Sequence, residues 1–249
     1  MWLCIIVAAC VLIYIFRQKI NRKAVNYTLL AAGIVLIILE TLKQIERSLS
    51  IGDDGTLHWH YPPADFPFQF CSTPMYLFLL VGILRKGLVY DTMMSYLATF
   101  GFFGGLIVLA YPMGVYVESA FINVHTMIWH SSMIVMGFLI LATRSVKFQL
   151  MTVVKALIVF TVFVVMAILM NVFAHLIVPN EYFNMFYIGP HYPNNFPVLQ
   201  DIYQKVPWVV FVLIYIIGFS VASLIVMLLA IAFDKLEGKI RSRKKAKRG

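Results

Sequence analysis

The stretch Pro207-Trp-Val-Val-Phe-Val-Leu-Ile-Tyr-Ile-Ile-Gly-Phe-Ser-Val-Ala-Ser-Leu-Ile-Val-Met-Leu-Leu-Ala-Ile-Ala-Phe233 contains no Asp, Glu, Lys or Arg. A helix needs about 20 predominantly apolar residues to cross a bilayer, and its peptide groups must all bond within it. This run is long enough. A basic tail follows from about residue 234, and eight of the twenty Lys and Arg of the chain lie in 235–249. Such a tail reads as an anchor on anionic cytoplasmic lipid. Nucleic-acid binding is set aside, because no aromatic platform accompanies the charge.

Working back from that run, six more apolar segments come into view: 2–16, 27–42, 68–84, 95–117, 122–143 and 153–178. Hydrophobic residues make up 61% of the chain and charged residues 12%, which is outside the range of soluble domains. The reading is an all-α polytopic membrane helix bundle, with residues 1–249 forming one integral membrane domain. Seventeen of the twenty Lys and Arg fall in the tail and in or at the edge of alternate loops, Lys155 being the one just inside a segment. The positive-inside rule then gives seven transmembrane helices, N-terminus out and C-terminus in. The first segment is short for a full span, and it reads as a retained anchor because no basic stretch precedes it. Cys4, Cys10 and Cys71 form no disulfide framework.

The chemistry points to Asp65-Phe-Pro-Phe-Gln-Phe-Cys-Ser-Thr-Pro74, which enters the third segment. Pro74 suits a first helical turn and Ser72 and Thr73 suit a cap, so the helix is expected to begin near Thr73. Cys71 then sits against the positive end of that helix, a setting that favours a nucleophilic thiolate. The competing reading is a small buried apolar residue.

Polar side chains in hydrocarbon are costly and tend to mark function. Here they gather in the outer halves of the segments: Glu40, Lys43 and Gln44 in the second, Gln69 and Cys71 in the third, Asn123, His125 and His130 in the fifth, Asn171 and His175 in the sixth. Asn123 and His130, seven apart, share a helix face, as do Asn171 and His175, four apart. His125 is expected to point well away from His130. Glu40 and Lys43 are expected to neutralise each other, and His175 to bond within the bundle. A thiol and an imidazole at one depth are what acyl transfer requires, with free N–H groups past Cys71 to hold an oxyanion. The loop run His58-Trp59-His60 holds too few ligands for zinc and reads as an interfacial aromatic anchor. No metal and no cofactor are assigned. The loops 46–67 and 179–206, rich in proline and aromatic residues, are expected to fold over the polar cluster as a lid.

Three motifs carry a family resemblance: Pro67-Phe-Gln-Phe-Cys71, Asn123-Val-His125-Thr-Met-Ile-Trp-His130, and Met170-Asn171-Val leading into an aromatic loop with Asn184. From the second segment onward the chain resembles the YwaF-like and transmembrane-protein-164 family of integral membrane acyltransferases. That resemblance implies Cys71 as acyl-carrying nucleophile, His130 as base, and Asn171 as an orienting or substrate-contacting residue. Asn123, His175, Gln69 and Glu40 are the further candidates for binding or orientation. Two departures stand out. Many bacterial relatives have histidine where this chain has Gln69, and glycine often stands where it has Ser131. A neighbouring family of lipid hydrolases uses threonine, which keeps Thr73 in view. The expected protein is a multi-pass plasma-membrane enzyme of a bacterial cell, with membrane phospholipid as acyl donor, acceptor or both. The alternatives are a lipid esterase using Cys71 or Thr73, and a small-solute permease or sensor. The oligomeric state is left open.

Overall fold

The computed structural model describes residues 2–111, 117–194 and 196–246. Its helices are α1 Trp2–Phe16, α2 Arg22–Ser48, α3 Thr73–Leu84, α4 Leu88–Ala110, α5 Ala120–Ala142, α6 Leu150–Ile177, α7 Pro197–Lys205 and α8 Trp208–Ala246. Five of them (α2, α4, α5, α6 and α8) are long and apolar enough to cross a membrane. The chain is a multi-pass all-α membrane bundle. α1 and the helical stretch Phe70–Leu84 are shorter apolar helices.

Several boundaries differ from the expected segments. α4 begins at Leu88, directly after Gly87 at φ 106° and earlier than the expected start at 95, and runs to Ala110; residues 112–116 of the expected 95–117 lie outside the described residues. α2 extends at both ends, opening on an Asn21 cap whose side chain accepts from the Ala24 N–H. The basic tail continues the last helix through Ala246. At this end Arg17 pairs with Glu237, and Arg144 pairs with Asp234. The loop after α2 holds a small antiparallel hairpin, β1 Leu49–Ile51 with β2 Leu57–Trp59, which turns through Gly55 at φ +76°.

Two close helix contacts set the geometry of the opposite end. α2 buries Val25, Leu29, Gly33, Leu36 and Glu40, a three-to-four stripe that carries the carboxylate onto the bundle-facing side. Gly33 and Gly82 let α2 and α3 approach: a Cβ on Gly33 would stand 3.0 Å from the Leu79 backbone nitrogen. Small residues at such crossings replace the missing hydrophobic drive with dense packing. Between α4 and α5 the same part is played by Gly105, where a Cβ would lie 2.8 Å from the His130 carbonyl. Just before that contact α4 runs through a π turn at Leu97–Gly101. Phe70 drops its ring into an aromatic core, 4.8 Å from the Phe219 ring and edge-on to Phe160 and Phe186. This leaves the backbone of Cys71, the next residue, at the edge of that core.

Candidate functional site

The end of α2, the turn before α3 and the first half of α5 surround a cavity of about 280 Å³. Glu40, Lys43, Gln69, Cys71, His125 and His130 line it, with Trp129 and Tyr187 among the aromatic walls. They come from separate parts of the chain, and the fold gathers them.

Cys71 lies in a 3-10 turn, Phe70–Ser72, that feeds directly into α3 at Thr73. It is half-buried. Ser72 makes no side-chain capping bond, which corrects the expected cap. The Thr73 hydroxyl instead donates to the Phe70 carbonyl at 2.9 Å and meets the Tyr96 hydroxyl at 2.7 Å. Thr73 is wholly buried and does not line the cavity. The Cys71 carbonyl accepts from the Trp129 indole N–H at 2.7 Å, which ties this turn to α5 one residue before His130.

His130 is 5% exposed, and its Nδ1 sits 2.8 Å from the Thr126 carbonyl. A carbonyl can only accept, so Nδ1 carries the hydrogen and Nε2 keeps its lone pair. That Nε2 is buried and has no hydrogen-bond partner among the described residues. A ring nitrogen in that state is able to accept a proton.

Glu40 has its two oxygens divided. Oε1 accepts from Lys43 Nζ at 2.7 Å and from Gln44 Nε2 at 2.6 Å. Oε2 lies 3.4 Å from His125 Nε2. His125 is thus on the same cavity as His130, contrary to the expectation that it points well away. The cavity wraps around the start of α5 and takes two neighbouring stripes, 122, 125 and 129 beside 126 and 130. Two residues five apart therefore both reach it. The His125 ring is set against Trp129, centroids 5.0 Å apart. Gln69 donates to the Asn184 carbonyl at 3.0 Å and leaves its Oε1 buried without a partner among the described residues.

Three expected candidates are used elsewhere. Asn123 turns back on its own loop, accepting from the Val117 N–H at 2.9 Å and donating to the Val117 carbonyl at 2.7 Å. Asn171 exchanges both bonds of its amide with Met185, donating to the carbonyl at 3.0 Å and accepting from the N–H at 2.6 Å. His175 stacks on His191 with centroids 3.6 Å apart. None of the three lines the cavity.

Asn171 nevertheless shapes the site through the loop it holds. Met185 leads into Phe186 and Tyr187, both left-handed at φ 57° and 54°. Asn184 accepts from the Gly189 N–H at 2.7 Å and fixes that bend. The result brings Tyr187 to the cavity wall, where burial pushes its phenol up to about 12. From the other loop, Ala64, Asp65 and Phe66 reach the same wall. Arg47 pairs with Asp65 at 2.7 Å on the more exposed side.

A family model described as the TMEM164 family matches residues 1–231. The chain belongs to the TMEM164 family. In this TMEM164-family protein the match takes in α1 as well, ahead of the second segment where the motif resemblance began. Comparison with curated proteins and with solved structures gave no match.

Proposed function

We propose that this protein is a membrane-embedded lipid acyltransferase that works through an acyl-Cys71 intermediate, with His130 as the base. One observation carries the reading: Cys71 and a partnerless His130 Nε2 share one cavity, and Trp129 ties the two chain segments together. In the first half-reaction His130 Nε2 takes the thiol proton and sulfur adds to an ester carbonyl of the donor lipid. The ester C–O bond breaks, and the proton passes to the departing alkoxide oxygen. In the second half an acceptor hydroxyl attacks the thioester, the C–S bond breaks, and sulfur recovers a proton. The oxyanion donors expected past Cys71 do not come from Ser72 or Pro74, since the Ser72 N–H already donates to the Gln69 carbonyl at 2.8 Å and proline has no N–H.

The seven-span arrangement, N-terminus out and C-terminus in, is part of this proposal, and so is a single membrane domain. The cavity then opens near the outer leaflet, where a bilayer phospholipid supplies the acyl chain in the plasma membrane of a bacterial cell. An esterase that passes the acyl group to water would use the same first half. Two observations favour Cys71 over Thr73 as nucleophile: the Thr73 hydroxyl is bonded to Tyr96, and it lies off the cavity. The permease reading is disfavoured by the aromatic core that Phe70 enters next to Cys71.

The test is to incubate the detergent-solubilised protein with a phospholipid carrying an alkyne-tagged acyl chain. A protein-bound label released by neutral hydroxylamine and absent in Cys71→Ala is the expected result. Solute uptake without any such label would turn the assignment to a permease.

A further inference from the structure

The two histidines of the cavity hold different partners, and the difference suggests different work. His130 spends Nδ1 on a backbone carbonyl. His125 sets Nε2 against the Glu40 carboxylate at 3.4 Å. The carboxylate is itself held: Lys43 and Gln44 occupy Oε1, so Oε2 is the oxygen left to face the ring. Phe121 and Trp129 flank that ring with centroids 6.5 and 5.0 Å away. Glu40 and His125 are 5% and 6% exposed. Setting a carboxylate inside an apolar bundle carries a large desolvation cost before its partners offset it. α2 and α5 could be joined by apolar packing without that cost.

We infer that Glu40 and His125 form a second acid–base unit, which serves the acceptor half of the reaction while His130 serves the thiol half. The inference rests on the acyl-Cys71 reading. Nε2 is the ring nitrogen that faces Glu40 Oε2, at 3.4 Å and without hydrogen-bond geometry in the free protein, so the proposed ring carries its hydrogen on that side and the lone pair on the other nitrogen. That nitrogen takes the proton of the acceptor hydroxyl, or of water, as the oxygen bonds to the thioester carbon. The C–S bond breaks, and the proton moves from the imidazolium to sulfur, which restores thiol and neutral ring. Glu40 stays ionised and holds the imidazolium while it exists, the arrangement that a carboxylate gives a catalytic histidine elsewhere. Glu40 is a positioning residue here, acting through His125.

The two half-reactions are read separately on the full-length protein. After a pulse of alkyne-tagged phospholipid, the hydroxylamine-labile adduct is followed as it forms, and then as it decays on adding an unlabelled hydroxyl-bearing lysophospholipid. In His125→Ala and in Glu40→Gln the adduct is expected to form and accumulate, with decay slowed ten- to hundredfold. Imidazole added to His125→Ala is expected to speed the decay, which a merely structural role would not allow. Glu40→Gln still accepts from Lys43 and Gln44, so it tests the charge without emptying the site. Decay at the wild-type rate in both variants overturns the inference and leaves the acyl-Cys71 reading standing. Loss of adduct formation in His125→Ala, in protein that unfolds at the wild-type temperature, also overturns it. No adduct in the wild type overturns the parent reading, and the inference falls with it.

Discussion

The Trp129 indole N–H donates to the Cys71 carbonyl at 2.7 Å, and this bond holds the turn of the proposed nucleophile against the helix that carries His130, the proposed base. Trp129→Phe keeps an aromatic face for His125 and removes the donor. Leaving that carbonyl unbonded in the bundle is expected to cost about 1–3 kcal/mol. A loosened pair loses more in rate than in stability, since a misplacement of about 1 Å can cost on the order of a hundredfold. The expected outcome is a modest fall in thermal unfolding temperature with a much larger fall in the rate of acyl-Cys71 formation. Unfolding by intrinsic fluorescence and pulse labelling check the two effects.

Gly105 sits where α4 crosses α5 at the level of His130. An added Cβ would stand 2.8 Å from the His130 carbonyl oxygen and 2.9 Å from Met133 Cβ. Neither atom is the far end of a flexible chain. Gly105→Ala is expected to destabilise by about 1–3 kcal/mol through overpacking, and to slow labelling by shifting His130. Gly218 in α8 is the control, because a methyl group added there would meet nothing within 4 Å. There the change to Ala is expected to stabilise by up to about 1 kcal/mol from helix propensity. Thermal unfolding of the two variants side by side checks the contrast.

Asn171 is predicted to act through the loop rather than on substrate. Asn171→Ala orphans the carbonyl and the N–H of Met185, both buried, at about 1–3 kcal/mol each. The loop carrying Tyr187 should loosen first. Faster limited proteolysis within 179–194, with a lower unfolding temperature, is the expected reading. Unchanged proteolysis alongside lost activity would instead put Asn171 in contact with substrate.

Thr73 and Cys71 are two residues apart and should behave oppositely. Thr73→Val removes the bonds to Phe70 and Tyr96 and lowers stability by about 1–3 kcal/mol. It leaves the cavity lining intact, so the hydroxylamine-labile adduct should persist. Cys71→Ala should abolish the adduct with little loss of stability. An adduct that survives in Cys71→Ala and disappears in Thr73→Val would reverse the assignment.

Much of the bundle can be read from hydropathy alone, because a bilayer forces long uninterrupted apolar runs. The helix start at Thr73 is equally legible, since Pro74 marks a first turn. The hairpin has a signal in Asp54-Gly55 that the polar composition of the loop obscures. His125 escapes the spacing argument for a geometric reason. Spacing on an isolated helix defines a narrow face, whereas a cavity at a helix end can take two stripes. Asn123 escapes it for the opposite reason: close to a helix start, a short amide finds the backbone of its own loop before it finds a partner helix. No periodicity foretells that Asn171 is spent on Met185, because the partner lies in a loop without a repeating pattern.

Asp234 and Glu237 follow closely on Phe233, the last residue of the terminal apolar run, yet they neutralise Arg144 and Arg17 at the face remote from the cavity. A chain trimmed at residue 233 would retain every hydrophobic stretch and still remove the carboxylate partners of Arg17 and Arg144. For expression and labelling work, the useful cut or fusion point therefore lies downstream of Glu237, where shortening the cationic end leaves both clasps closed.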